Sequence, residues 1–283
     1  MISKSEIALK SRAWGIPPNT VDKDYVLGHF LSVFSQYYDD KLLFKGGTCL
    51  RKCYYSDYRF SEDLDFSSKE PDFKLREKDL ENICDKLAEK IDMLFYPENI
   101  TALVSKDISK GYQVKIQYWG ANHSKHVQPT SPGNWTSKIK LEISTQELCV
   151  FQSEQREIIH LYSDELVGSR YLQCYSIDEI VCEKLRSLVQ RSYSAPRDIY
   201  DLYHLTKDFS SLDWERIIPA FKLKMQHKDI EFIGASQLIS EERIPVFIKA
   251  WDASIAHQID SDQISKEEII RSVYNIIHQN ILV

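Results

Sequence analysis

Two kinds of hydrophobic pattern follow one another along the chain. Up to about residue 170, short apolar runs of strand length alternate with segments in which apolar residues recur at helical spacing. Beyond that point, nearly every segment has helical spacing. The pattern therefore predicts an α+β fold, with a sheet-containing domain over residues 1–170 and a helical domain over residues 171–283.

The first part contains the predicted strands. Helical spacing of apolar residues predicts helices over residues 20–38 and 71–96, the second ending before Pro97. A short helix is predicted to begin near Thr48, after two glycines. The predicted strands cover residues 42–44, 63–66, 101–104, 112–118 and 139–144.

The second part begins with a helix-capping signature. Ser176 is followed three residues later by Glu179, and Ser265 is followed in the same way by Glu268, which is the pattern of a capping box. Pro196 suits the first turn of a helix. These signals and the apolar spacing predict helices over residues 176–191, 197–206, 214–226, 241–256 and 266–279.

Composition and charge narrow the class of protein. With 43% hydrophobic and 28% charged residues, and without an apolar run long enough to span a bilayer, the sequence is typical of a globular protein that is not in a membrane. The first residues lack the apolar segment of a secretory signal, which predicts a cytoplasmic location. The net charge of −6 disfavours indiscriminate binding to nucleic acid, and no DNA-binding motif is seen, although local basic groups such as Lys138 and Lys140 remain.

The six cysteines are spread along the chain without a CxxC pair, which is typical of reduced and mostly buried thiols. Cys49 and Cys53 are four residues apart on a predicted helix and could share a face. A zinc site there would need two more ligands nearby, and the sequence offers no obvious pair. The pattern therefore disfavours zinc binding by cysteine.

A candidate phosphate-binding turn lies at Gly46 and Gly47. The predicted strand leads through Lys45 into the glycine pair and then into a helix at Thr48. Glycines allow the backbone to approach a ligand, and a helix N-terminus presents unpaired N–H groups to a phosphate. A glycine pair alone is a weak signal, because many turns contain one for steric reasons.

A pair of carboxylates follows the glycines. Asp63 and Asp65 are two residues apart, so on a strand both would project from one face. Neighbouring carboxylates repel each other unless a cation lies between them, and their oxygens suit Mg²⁺ or Mn²⁺. The alternative interpretation is an exposed strand face with solvated acids.

The order of strand, glycine pair, short helix and Asp-x-Asp strand is more specific than its parts, and it is typical of the nucleotidyltransferase superfamily. A P-loop is excluded because the chain has no GxxxxGK[ST] motif. That superfamily needs a third carboxylate on a neighbouring strand, and the strand over residues 139–144 offers Glu142, on the same face as Lys140. The alternative for Glu142 is a surface residue of an amphipathic strand.

Several stretches resemble one branch of that superfamily, the AbiEii/AbiGii toxin family. FKGGTCLRKCY at residues 44–54 and RFSEDLDF at residues 59–66 are similar to its FKGGT and RFSEDIDL motifs. DKDY at residues 22–25 resembles an EKDY-type helix, with Asp22 in place of Glu. EKL at residues 183–185 and RDIYDLY at residues 197–203 resemble two segments of its helical part.

The resemblance implies a nucleotidyltransferase fold, with a mixed sheet, flanking helices and a C-terminal helical domain. With the residues above, the predicted catalytic set is Asp63, Asp65, Glu142, Lys184, Asp198 and Asp201, of which the first three would bind the metal. The predicted nucleotide- and phosphate-binding set is Lys45, Gly46, Gly47, Thr48, Lys140, Lys184 and Arg197. Arg197 and Asp201 are also spaced for an ion pair on a helix surface, which is their alternative role.

These features lead to one main hypothesis, in which the protein transfers a nucleoside monophosphate from an NTP to an acceptor. In the family the acceptor is commonly tRNA, and the protein acts as a toxin, with a cognate antitoxin, or in phage defence. The alternatives are transfer to a protein or a small molecule, a metal-dependent nuclease, and a non-catalytic NTP-binding module of antitoxin type. Ser61 would lie near the phosphates, where its phosphorylation would repel the substrate.

Overall fold

The computed structural model describes residues 1–281 except 106–107, 124–126, 128–130, 192–194, 209–211 and 260–263. Contacts within the chain divide it into two compact units. The first unit comprises Met1–Glu147 and Ser153–Cys174, and the second comprises Leu148–Gln152 and Tyr175–Val283. Whether residues 1–170 and 171–283 fold as independent domains stays a prediction.

The first unit begins with two helices, and the remainder is mostly strand. These helices are α1 (Lys4–Trp14) and α2 (Pro18–Tyr38). A π-helical turn over Leu50–Tyr54 extends a later short helix, α3 (Gly46–Cys49). The other elements are β1 (Leu42–Lys45), α3 (Gly46–Cys49), β2 (Asp63–Ser68), α4 (Glu77–Ile91), β3 (Leu94–Pro97), β4 (Thr101–Ser105), β5 (Ile108–Trp119), β6 (Lys138–Ser144), β7 (Glu154–Glu157) and β8 (Tyr171–Cys174).

The strands of the described residues form one mixed sheet. Its order is β3-β5-β6-β2-β1-β8-β7, and β4 also pairs with β5. The pairs β2/β6 and β1/β8 are parallel, and the other pairs are antiparallel. The mixed sheet with flanking helices confirms the predicted fold class, and β2 lies near its centre.

The core of this unit follows from the alternation along the strands. On β6, Ile139, Leu141 and Ile143 are fully buried, whereas the residues between them lie on the other face. Helix α2 contributes fully buried aromatic residues such as Phe30, and Phe44 of β1 packs against the ring of Phe66 at 5.0 Å between centroids. Each such buried side chain contributes about 1.5–3 kcal/mol, so β2 is held on a rigid support.

The prediction of one long helix over residues 71–96 was wrong. The helix is α4, and after it the chain turns at Asp92, which has a left-handed φ of 51°. Leu94 then begins β3, which pairs with Trp119 and its neighbours on β5. Helical periodicity continued past Asp92, but the hydrogen bonds available at the sheet edge decided the conformation of the last residues.

The second unit is helical. Its helices are α5 (Ile177–Gln190), α6 (Pro196–Asp208), α7 (Trp214–His227), α8 (Ala235–Leu238), α9 (Ile244–Ser254) and α10 (Lys266–Asn280). Both predicted N-caps are confirmed, because the hydroxyls of Ser176 and Ser265 accept hydrogen bonds from the backbone N–H groups of Glu179 and Glu268. In the described part of the chain, no helix has the length and apolar character needed to cross a membrane.

Candidate active site

Three carboxylates lie side by side on two neighbouring strands. Asp63 and Asp65 of β2 are half-buried, whereas Leu64 between them is fully buried. The parallel register of β2 and β6 places Asp65 beside Glu142 and Asp63 beside Lys140. We call Asp63, Asp65 and Glu142 the carboxylate cluster.

Polar neighbours hold Glu142 in this cluster. Its carboxylate accepts a hydrogen bond of 3.3 Å from the side-chain amide of Gln113 on β5, and Lys140 Nζ lies 3.2 Å away. Partial burial opposes the charge of Lys140, but the hydrogen bond and charge of Glu142, with the charges of Asp63 and Asp65, outweigh it and raise the pKa of Lys140. The shift shows that the cluster creates a negative potential that favours cations.

The glycine pair is required by its close neighbours. Gly46 has a left-handed φ of 82°, and a Cβ there would lie 2.8 Å from Asp65 Oδ2. A Cβ on Gly47 would lie 2.5 Å from a guanidinium nitrogen of Arg59 and 3.1 Å from Ser61 Oγ. The turn therefore brings bare backbone against the carboxylate cluster on one side and a buried arginine on the other.

Thr48 makes a structural contact in addition to its predicted contact with phosphate. Its side chain is buried, and its hydroxyl donates a hydrogen bond to the backbone carbonyl oxygen of Asp63. This bond fixes the start of α3 to the start of β2. The binding of phosphate by Thr48, and by Lys45 at the end of β1, stays a prediction.

Arg59 is a candidate that the sequence reasoning did not assign, although it lies in the RFSEDLDF stretch. It is only 4% exposed, and its guanidinium reaches the glycine turn. A buried arginine beside a backbone turn can bind an anion with fixed geometry. The signal in the sequence was an arginine between two aromatic residues, Tyr58 and Phe60, directly before the acidic run.

The DKDY motif supplies the support behind α3. The carboxylate of Asp24 lies 3.1 Å from Arg51 Nε and 2.6 Å from Lys52 Nζ, and it accepts a hydrogen bond of 2.8 Å from the hydroxyl of Tyr162. Burial alone would raise the pKa of Asp24, but the charges of Lys52 and Arg51 outweigh it and lower the pKa to about 2. Asp24 is therefore a positioning residue for the segment that follows the glycines.

Asp22, two residues earlier, has the opposite electrostatics. It is buried, and its carboxylate accepts a hydrogen bond of 3.3 Å from the backbone N–H of Asn122. Burial outweighs the hydrogen bonds from the backbone and raises the pKa of Asp22 to about 6. The position where this chain departs from the EKDY-type motif thus carries a carboxylate that is easily protonated.

Positive charge borders the carboxylate cluster on the same face of the sheet. Lys138 and Lys140 alternate with buried residues on β6, and Lys115 of β5 is directly opposite Lys140 in the register. We call Lys115, Lys138 and Lys140 the basic strip. A strip of lysines next to a cation site suits a substrate that carries phosphates.

The residues predicted in the helical part lie in the second unit, where Lys184, Asp198 and Asp201 belong to a buried ion network. Lys184 Nζ is 3.0 Å from Asp198 Oδ1 and 2.6 Å from Asp201 Oδ2, and Arg191 lies 2.8 Å from the other oxygen of Asp198. The two aspartates and Lys184 are all buried. Arg197 Nε donates a hydrogen bond to the carbonyl oxygen of Ser254, so its contact differs from the pair suggested by spacing.

The carboxylate cluster fits a hard divalent cation. Its donors are all oxygens, they come from adjacent positions of rigid strands, and they remain partly accessible, so water and phosphate could complete the coordination of Mg²⁺ or Mn²⁺. The close approach of Gly46 to Asp65 would place a phosphate bound at the turn beside such an ion. No soft ligand belongs to this cluster.

The chain matches one protein family and is similar in fold to a solved nucleotidyltransferase toxin. Residues 30–270 match the family described as "Nucleotidyl transferase AbiEii toxin, Type IV TA system". The chain is similar in structure to MenT4, a nucleotidyltransferase toxin from Mycobacterium tuberculosis H37Rv, with a TM-score of 0.62, 19% identity, and coverage of 98% of this chain and 90% of that one. A proposed nucleotidyltransferase from H. pylori has a TM-score of 0.49 and 18% identity, with coverage of 90% and 95%. No curated protein matches the sequence significantly.

Proposed function

The chain belongs to the AbiEii family of nucleotidyl transferase toxins of type IV toxin–antitoxin systems, and on that premise we propose that it transfers a nucleoside monophosphate from an NTP to RNA, with tRNA as the first candidate. The reaction uses Mg²⁺ or Mn²⁺ bound by Asp63, Asp65 and Glu142. A cognate antitoxin would restrain it in the cytoplasm, and growth arrest or defence against phage would be the outcome.

The juxtaposition on one sheet face carries this proposal. Asp65 lies beside both Glu142 and the glycine turn, so the proposed metal site and the proposed phosphate-binding backbone are neighbours. The basic strip adds positive charge next to them, which favours a polyanionic acceptor over a neutral small molecule. These contacts support nucleotidyl transfer to a nucleic acid more strongly than they support a protein that only binds an NTP.

The proposed step is an in-line displacement. A hydroxyl of the acceptor RNA forms a bond to the α-phosphorus, the bond from that phosphorus to the bridging oxygen breaks, and pyrophosphate leaves. When bound, the divalent ion neutralises the phosphate oxygens and orients the triphosphate. The backbone of Gly46 and Gly47 would hold the phosphates, Arg59 and Lys140 would balance the charge of the leaving group, and a carboxylate of the cluster would accept the proton of the hydroxyl.

The assignment of Lys184, Asp198, Asp201 and Arg197 to nucleotide binding is a further part of this proposal. It is supported by the similarity of residues 183–185 and 197–203 to family segments. The buried ion network gives Lys184, Asp198 and Asp201 an independent structural role, because its charges are already paired.

The proposal is tested by incubating the purified protein with Mg²⁺, each of the four α-labelled NTPs and total RNA. We expect label in RNA, with tRNA labelled first, and we expect Asp65→Asn to lower the rate by about 1,000-fold or more, since it removes a charge that holds the metal. Asp72→Asn changes an exposed aspartate of the same unit and should leave the rate unchanged.

Each other outcome of the labelling experiment contradicts a defined part of the proposal. Label in a protein or in a small product would move the acceptor to one of the alternative classes. No label with any NTP and any acceptor, together with tight NTP binding, would favour a non-catalytic module. Equal rates for Asp65→Asn and Asp72→Asn would remove the carboxylate cluster from the active site.

A further inference from the structure

A second group of potential metal ligands lies in the first unit and shares no residue with the carboxylate cluster. It consists of His29 on α2, and His160 and Asp164 on the segment between β7 and β8. One ligand atom of each residue lies within 4.8 Å of the other two. We call this group the histidine cluster.

The distances within the histidine cluster suit a small transition metal ion. His160 Nε2 lies 3.1 Å from Asp164 Oδ1, and His29 Nε2 lies 3.6 Å from Asp164 Oδ2. Two ligands of a tetrahedral zinc ion with bonds of about 2.0–2.1 Å are separated by about 3.4 Å. Both imidazoles therefore approach one carboxylate at nearly the spacing that a shared ion requires.

The environment of the His29 side chain is the main observation in favour of a bound ligand. Its side chain is completely buried, and neither ring nitrogen has a hydrogen-bond partner among the described residues. A buried polar nitrogen without a partner costs about 1–3 kcal/mol, so such groups usually have a function or a bound ligand. An ion between His29 and Asp164 would satisfy the nitrogen that faces the carboxylate.

The backbone of α2 orients His160 toward the same point. A Cβ on Gly28 would lie 3.3 Å from His160 Nδ1, so this nitrogen of the ring packs against the helix. Its other nitrogen, Nε2, faces Asp164. The hydroxyl of Tyr25 donates a hydrogen bond of 2.7 Å to Asp164 Oδ2 and fixes the carboxylate, as outer-shell groups do in many metal sites.

The charges around the histidine cluster permit a cation. Neutral imidazole is the form of histidine that binds metal ions, and the rings of His29 and His160 lie 4.8 Å apart between centroids. Burial would raise the pKa of Asp164, but hydrogen bonds from Tyr25 and His160 outweigh it and lower the pKa. The nearby positive charges include the N-terminal ammonium group and Lys52, and the carboxylate of Asp24 at 2.6 Å neutralises the second.

We propose that His29, His160 and Asp164 form a binding site for a single Zn²⁺ ion, with water as the remaining ligand. Two imidazoles and one carboxylate are a common ligand set for zinc, and Asp164 is 28% exposed on its side chain, which leaves a path for water. The donor set of two imidazoles and one carboxylate differs from the all-oxygen carboxylate cluster, so the two sites select different ions.

A zinc ion at this position would fasten the segment between β7 and β8 to α2. That segment already contacts α2 through Ser32, whose hydroxyl accepts a hydrogen bond of 2.8 Å from the N–H of Gly168 and whose carbonyl accepts one of 2.8 Å from Ser169. The histidine cluster adds a second attachment at the other end of the segment. The role assigned to zinc is therefore structural.

A group of buried cysteines is the competing zinc site. The sulfur atoms of Cys49, Cys53 and Cys174 also lie within 4.8 Å of one another. Burial raises the pKa of Cys49 and Cys174 well above the usual value, whereas hydrogen bonds with these two thiols and the charge of Lys52 lower the pKa of Cys53, so a metal would have to ionise two thiols in an apolar setting. The histidine cluster needs no such ionisation and has a more accessible member.

The test is a titration of the full-length protein, purified without a histidine tag, with Zn²⁺ alone in the presence of excess Mg²⁺. We expect one equivalent to bind, and zinc-edge X-ray absorption to show nitrogen and oxygen ligands at about 2.0 Å without sulfur at about 2.3 Å. His29→Leu should weaken binding by at least about 100-fold, because it removes one of three ligands.

Three further variants keep the result interpretable. Asp164→Asn retains an acceptor for Tyr25 while removing the charged ligand, and it should bind zinc weakly even if His29→Leu were misfolded. His257→Ala removes an exposed histidine of the second unit and should bind zinc like the wild type. Asp65→Asn should also bind normally, which separates this site from the proposed catalytic metal.

Three results would overturn the zinc proposal. One is that no equivalent of Zn²⁺ binds in the presence of excess Mg²⁺. Another is unchanged binding by folded Asp164→Asn. The third is a sulfur-containing shell, which would place the ion among the cysteines instead. A thermal shift on adding Zn²⁺ to the wild type but not to Asp164→Asn would support the structural role.

Discussion

The carboxylate cluster and the buried ion network contain the same kinds of residue but treat their charges differently. In the cluster, Asp63, Asp65 and Glu142 are half-exposed and crowd on one face. In the network, Asp198 and Asp201 are at most 2% exposed, and Lys184 lies within 3.0 Å of both. The first arrangement favours an added cation, whereas the second already contains its cations.

This difference distinguishes motif residues with a functional role from motif residues with a structural role. Like charges that lie close together and near water repel one another, and a metal ion that binds between them relieves this repulsion. Buried and paired charges contribute to the folded state mainly through the cost of removing one partner. We therefore expect changes in the cluster to lower activity and changes in the network to lower stability.

The largest expected effect is on stability, from Asp201→Ala. Removing one carboxylate leaves the buried Lys184 short of a partner, and such a break costs about 3–5 kcal/mol. Chemical denaturation followed by circular dichroism measures the free energy of unfolding. Asp208→Ala, an exposed position on the same helix, should cost less than about 0.5 kcal/mol. Loss of activity at unchanged stability would break the comparison and make Asp201 a functional residue.

The next effect is on activity, from Glu142→Gln. The substitution keeps the size of the side chain and removes the third negative charge, so kcat should fall by about 100-fold while the free energy of unfolding stays within about 0.5 kcal/mol. Initial rates of RNA labelling measure the first quantity. Glu98→Gln, on the loop after β3, is the matched control. A rate equal to wild type would limit the metal site to Asp63 and Asp65.

A third prediction uses Asp22 to sharpen the role of burial. Its pKa in the folded protein, about 6, lies above the unfolded value of 3.8, so the folded state holds the proton more tightly and stability falls as pH rises from about 4 to 6. Asp22→Asn should remove this fall, and relative to wild type it should gain about 2 kcal/mol between pH 4 and pH 8.

Parallel melting of Asp22→Asn and Asp72→Asn across that range measures the effect. The exposed Asp72 has no burial to oppose its charge, so its variant should follow the wild-type curve. A pH profile of Asp22→Asn that also follows the wild type would show that the carboxylate of Asp22 is solvated, and the argument from burial would not apply to it.

The smallest effect is expected from Gly46→Ala. The methyl group would meet Asp65 Oδ2 at 2.8 Å, and the left-handed φ of 82° costs an alanine about 1 kcal/mol. We expect a similar loss of stability and a fall in kcat/KM of about 10-fold, since Asp65 must move. Gly133→Ala, with open space around it, is the control. A loss confined to stability would separate the turn from the site.

Much of the fold was predictable because the spacing of apolar residues is a local property. The strand over residues 63–66, the helix over 214–226 and both capping serines agree with the structure to within a few residues. The strands β3, β7 and β8 were missed, since half or more of the residues in each are exposed or half-buried, unlike those of the equally short β1. The helix over residues 71–96 was overextended for the same reason.

The fold class, the family and the candidate chemistry are evident from the amino-acid sequence, because the glycine turn, the Asp-x-Asp strand and the helical spacing are short motifs whose geometry follows from the backbone. The folded structure was needed to show that Glu142 lies beside Asp65, that Asp24 supports the helix after the glycines, and that His29 meets His160 and Asp164. Those contacts join residues far apart in the chain, and strand register and helix packing set them.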